Sequence, residues 1–100
     1  MATVKEKKDG AIQIKGKMTV INAFSIKKSL IDMAFGGKSV TLDLSGVEEM
    51  DSSGFQLLAL VRREAGTRRL PFRVSSASRA VMEVIDLFHA GKKFMKGASK

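Results

Sequence analysis

The run Asp51-Ser52-Ser53-Gly54 is where this chain of 100 residues places hydroxyl and carboxylate groups side by side, just before an apolar helical stretch. A catalytic serine would sit in a Gly-x-Ser-x-Gly elbow and draw on a histidine base. Around Ser52 the first glycine position holds Met50, and the sole histidine, His89, falls at the end of the last expected helix. A histidine beside the last carbonyls of a helix has a structural role there that asks for no catalysis. With no cysteine and one histidine, metal chemistry is poorly served. Glu48, Glu49 and Asp51 cluster in an expected turn without a second acidic loop to complete a cation site. Gly36-Gly37-Lys38-Ser39 looks like the end of a phosphate-binding loop, but Asp32 stands where the first glycine belongs, and the run leads from helix to strand. The expectation is a protein with no catalytic residues, no metal site and no cofactor, and so not an enzyme.

Two readings of Asp51-Ser52-Ser53-Gly54 stay open on physical grounds. Asp and Ser are the best helix N-caps, because their oxygens accept backbone N–H groups that the first turn leaves unpaired. The run supplies more hydroxyls than one cap uses. A serine at an exposed helix N-terminus is also a well-placed phosphoacceptor, since the positive end of the dipole receives an anion.

Patterning gives the elements that must hold this run. Ile12 and Ile14 alternate with Gln13 and Lys15 as a half-buried strand, Gly16-Lys17 suits a tight hairpin turn, and Met18 to Ile21 reads as the return strand. Asn22 is the expected cap of a helix through Phe35, whose stripe is Ile26, Leu30 and Met33, widened by Phe24, Ile31 and Phe35. Gly36-Gly37 stops it. Ser39 to Leu44 alternates as a strand, Ser45 to Met50 reads as a turn, and a buried helix carrying Leu57, Leu58, Leu60 and Val61 runs to Gly66. A short strand from Leu70 to Val74 follows. Ser75 to Ser78 offers caps for a last helix, on which Val81, Val84, Ile85 and Phe88 form one face before Gly91. The order β-β-α-β-α-β-α predicts an α/β domain with a mixed sheet.

The net charge of +8 is unevenly spread. From Gly10 to Ala90 eleven Lys/Arg face eight Asp/Glu, so most of the excess lies in the flanks, at Lys5, Lys7, Lys8, Lys92, Lys93, Lys96 and Lys100. This predicts a basic tail over 1–9, a domain over 10–91 and a second basic tail over 92–100. With no Trp or Tyr to stack bases, the charge does not point to nucleic acid. Met1 to Asp9 lacks an apolar core, and no apolar run approaches a bilayer span, so a cytoplasmic protein without membrane insertion is expected.

Val40-Thr41-Leu42-Asp43-Leu44-Ser45-Gly46-Val47, followed by Met50-Asp51-Ser52-Ser53-Gly54-Phe55-Gln56-Leu57-Leu58, resembles the STAS family, the domain of sulfate transporters and anti-sigma-factor antagonists. Gly16-Lys17-Met18-Thr19-Val20 with Asn22-Ala23, and Ser76-Ala77-Ser78 through Phe88, extend the resemblance over Gly10 to Phe94. It implies a single mixed sheet with helices on one side and a regulatory role in bacterial signal transduction. It further implies that Ser52 is the phosphoacceptor, supported by Asp51, Ser53 and Gly54, and that Thr19, Asn22 and Phe55 lie on a partner surface. In such antagonists the unphosphorylated form binds a kinase that is itself the anti-sigma factor, freeing a sigma factor, and phosphorylation breaks the complex. Thr19 stands where many antagonists carry an acidic residue. Together with Gly54-Phe55-Gln56-Leu57-Leu58 it resembles STAS proteins that work beside chemotaxis systems, or as accessory subunits on the ATPase of lipid-transporting ABC complexes. The protein itself is expected as a monomer or weak homodimer.

Overall fold

The fold is that of a computed structural model in which residues 2–94 are described. Strands β1 (Ala2–Glu6), β2 (Ile12–Met18), β3 (Val40–Met50) and β4 (Phe72–Ala77) form one sheet in the order β1-β2-β3-β4. The β1–β2 pair is antiparallel, and β2–β3 and β3–β4 are parallel. The parallel connections carry helices α1 (Ala23–Ala34) and α2 (Ser52–Thr67), and α3 (Arg79–Leu87) and the short α4 (Gly91–Phe94) follow β4. The expected order and the mixed α/β sheet stand.

Period-two alternation assigns the two sheet faces. Ile12, Ile14 and Met18 of β2, Val40, Leu42 and Leu44 of β3, and Phe72 and Val74 of β4 are buried and form one core with Ile26, Leu30, Leu57, Leu58, Val61, Val81 and Ile85 from the helices. The intervening residues, among them Lys15, Lys17 and Arg73, are exposed. All three longer helices therefore pack on one side, and among the described residues no helix covers the other face.

Several local expectations shift. The opening hairpin lies earlier than its turn signals suggest: Lys7 to Gly10 makes the turn, with the Gly10 N–H donating to the Lys7 carbonyl at 3.0 Å. The segment expected as a basic tail thus contributes β1, with Val4 opposite Ile14 and packed on the core. Gly16, read as a turn residue, lies inside β2 at φ 100°, a backbone that a side chain disfavours, beside a break in the β2–β3 register. That irregularity lets β3 run on through the segment expected as a turn, so that Val47, Glu49 and Met50 pair with Gly16, Lys17 and Met18. Val20 and Ile21 lie in the loop after β2, not in a return strand. Helix α2 passes Gly66 and ends at Thr67, with Arg68 as its C-cap and Arg69 taking the left-handed backbone at φ 60°. Helix α3 ends likewise at Leu87, with Phe88 as its C-cap and His89 left-handed at φ 55°, and Gly91 opens α4 where a stop was expected. Gly91 to Phe94 are helical and Phe94 is buried, so the expected C-terminal tail begins later than Lys92; the rest of it, with the Lys96 and Lys100 charges, lies outside the described residues.

Candidate functional site

Asp51 sits where β3 ends and α2 begins, and both of its carboxylate oxygens are engaged. Oδ1 accepts the Gly54 N–H at 3.1 Å, which caps α2. Oδ2 accepts the Val20 N–H at 3.0 Å, which ties the β2–α1 loop to the helix start. The Asp51 N–H donates to the Met18 carbonyl at 3.3 Å, closing the corner between strand ends. Desolvation opposes ionisation of Asp51, but the accepted N–H groups of Val20 and Gly54 outweigh it and hold the carboxyl below its ordinary value.

Gly54 is a packing requirement. A Cβ at this position would fall on the Met18 carbonyl oxygen, inside contact distance, and crowd Met18 Cβ and Met50 Cγ at 3.1 Å each. The missing side chain lets the first turn of α2 sit directly on the end of β2.

Ser52 is the first residue of α2 and is exposed. Among the described residues its hydroxyl makes no hydrogen bond, because Asp51 does the capping. Ser53 is half-buried and lines a shallow groove between α1 and α2 with Ala23, Phe24 and Gln56.

The expected partner residues divide. Thr19 is half-buried in the β2–α1 loop, its carbonyl accepting the Asn22 N–H at 3.0 Å. Asn22 stands at the cap position of α1, yet its side chain does not cap. The Asn22 Nδ2 donates to the Lys17 carbonyl at 2.9 Å, so it braces the loop onto β2. Both residues lie in the loop that Asp51 fastens. Phe55 turns away from it: its ring stacks on Phe88 with centroids 4.3 Å apart and touches Phe94 at 5.4 Å, which makes it a contact between α2 and the C-terminal helices.

Sequence patterning missed the apolar residues of this corner. Val20, Ile21 and Phe24 are 66%, 85% and 77% exposed, although all three were assigned to strand or core. The signal was present for Phe24. It precedes Ile26 by two residues, about 200° around the helix and so off the buried stripe. Among the described residues no group of three or more His, Cys, Asp or Glu gathers to hold a metal ion.

The family model described as Mlab, STAS domain matches residues 1–95. The chain belongs to the STAS family. The solved structures it resembles carry the STAS fold at low identity. An anti-sigma factor antagonist from Mycobacterium paratuberculosis superposes with a TM-score of 0.77 at 21% identity, over 94% of this chain and 81% of that one. A protein described as an anti-sigma factor antagonist from Thermotoga maritima gives 0.75 at 21% identity, over 93% and 82%. The anti-sigma factor antagonist SpoIIAA in its unphosphorylated form gives 0.58 at 15%, over 89% and 98%. In this STAS domain the signature run has split duties: Asp51 and Gly54 build the corner, and Ser52 is left free on it.

Proposed function

We propose that this STAS domain is a regulatory protein-binding module, without catalysis of its own, whose partner is released when Ser52 is phosphorylated. The observation that carries the reading is the idle, exposed Ser52 hydroxyl beside a carboxylate that already satisfies the helix start. A phosphate there adds roughly −1.5 to −2 charges without removing a cap. The helix dipole tolerates or favours the anion, so the domain stays folded and the effect falls on whatever covers the corner. A partner that has desolvated a small hydroxyl next to Val20, Ile21 and Phe24 would face an unpaired dianion. The partner class that suits this chemistry is an anti-sigma factor with serine kinase activity.

The exposed Val20, Ile21 and Phe24 favour a second reading, since permanent interfaces are the more apolar ones. In it the domain is a constitutive accessory subunit, docked on a transporter ATPase or in a chemotaxis-type complex with Ser52 unmodified. One series separates the two. The partner is captured from native lysate and identified, and its affinity is measured for the parent chain, Ser52→Ala and Ser52→Asp. The switch predicts that Ser52→Ala binds like the parent while Ser52→Asp, still folded, loses at least about tenfold. Equal binding of Ser52→Asp leaves the accessory reading standing.

A further inference from the structure

The sheet face turned away from the helices is polar throughout and cationic. Thr3 and Lys5 of β1, Gln13, Lys15 and Lys17 of β2, Thr41 of β3 and Arg73 of β4 alternate with the core set, and Asp43 of β3 shares this face but is itself buried. The register places Thr3 beside Lys15, Lys5 beside Gln13, and Thr41 beside Arg73. Asp43 is neutralised by Lys7, whose Nζ lies 2.8 Å from its Oδ2. The other carboxylates of β3, Glu48 and Glu49 near its C-terminal end, are exposed, with Glu49 opposite Lys17. Lys5, Lys15 and Arg73 have no acidic residue opposite them in the register. The Lys15 side chain lies across β3, where a Cβ on Gly46 would meet its Cγ at 2.7 Å.

Parallel strands are usually covered on both faces. Here, among the described residues, the strands offer no large apolar or aromatic side chain on the second face with which a protein layer could form a dry contact, and lysine is depleted from the centres of protein interfaces. It also lacks the stacking rings that single-stranded nucleic acid uses. A broad face of flexible cations without an anchor fits an extended layer of phosphates, which attracts each lysine or arginine without desolvating it. We infer that the open sheet face rests on anionic phospholipid headgroups, holding the domain at a membrane surface without insertion and leaving the Ser52 corner accessible.

The test is co-sedimentation of the whole chain with vesicles of phosphatidylglycerol and phosphatidylcholine at low salt. Binding is expected to vanish at high salt and on pure phosphatidylcholine. A variant with Lys5, Lys15, Lys17 and Arg73 each changed to Gln is expected to lose at least tenfold, since each charge is worth about fivefold. Changing Lys27, Lys28, Arg63 and Arg69 to Gln removes the same charge from the helix side and is expected to cost less than about threefold. If the first variant fails to melt cooperatively, Lys15→Glu with Arg73→Glu takes its place. No binding to anionic vesicles, an equal loss in both variants, or tighter binding to duplex DNA at matched phosphate concentration would overturn the inference.

Discussion

Asp51 carries more of the corner than its position in a helix cap suggests, because one carboxylate serves two elements. Asp51→Ala removes the cap and frees the β2–α1 loop. Loss of a cap alone costs about 1 kcal/mol and up to about 2. A domain of this size loses about 4–8 °C in melting temperature per kcal/mol, so calorimetry should show a clear drop. Ser52→Ala should leave the melting temperature within about 2 °C, since its hydroxyl caps nothing. Gly54→Ala is the severe change: the added methyl meets backbone at Met18 rather than a flexible side-chain end, and about 3 kcal/mol or more is expected. A Ser52→Ala protein as unstable as Asp51→Ala would show that the serine shares the cap.

At the scale of elements, β1 is where patterning and structure part furthest. Ala-Thr-Val-Lys-Glu has one large apolar residue, and the lysines around it read as a solvated end. What makes it a strand is non-local: five residues pair with β2, Val4 covers Ile14, and Lys7 reaches past β2 to Asp43. A chain starting at Gly10 should therefore melt more than about 10 °C lower or lose its cooperative transition, with β2 left as a bare edge. An unchanged melting curve would return β1 to the status of a tail. The helices were legible because each keeps a local stripe, as Val81 and Ile85 do on α3, and Ser78 caps that helix as its type suggests. The length of β3 was not legible, because its continuation depends on Gly16, a residue in another strand. In the site, Asp51-Ser52-Ser53-Gly54 could be found from residue types alone. The Val20 bond to Asp51 spans 31 residues, and the exposure of Val20 and Ile21 follows from that anchoring, so neither had a local signal.

For the molecule as a whole, the Lys7–Asp43 pair and Asp51 contribute to stability in a pH-dependent way. The hydrogen bond from Lys7 comes first, with the Ser45 N–H and hydroxyl helping, in holding the Asp43 carboxyl well below the usual carboxylate range. The same bond to Asp43 raises Lys7. Depressed carboxyls contribute stability that is complete above their unfolded value, about 4, and is lost as pH falls toward the folded value. The raised lysine contributes below its unfolded value, about 10.4, and loses that contribution above it. Their contribution should be level between these limits. Lys7→Gln should lower the plateau and flatten the acid limb relative to the parent, and denaturant melts across pH read both. Parallel acid limbs in the two proteins would show that Asp43 does not depend on Lys7.

The strands lie in space in the order in which they occur in the chain, so each joins an edge already made and none has to be inserted between two others. A ribosome releasing this chain can thus build the sheet in the order of synthesis. The last described piece to arrive is Phe94, which lies against both Phe55 and Phe72. An unfinished chain that stops short of α4 has all four described strands in hand, while Phe55 and Phe72 lack the ring of Phe94 against them. Such a fragment presents to a chaperone or protease the apolar surface by which incomplete proteins are told from finished ones.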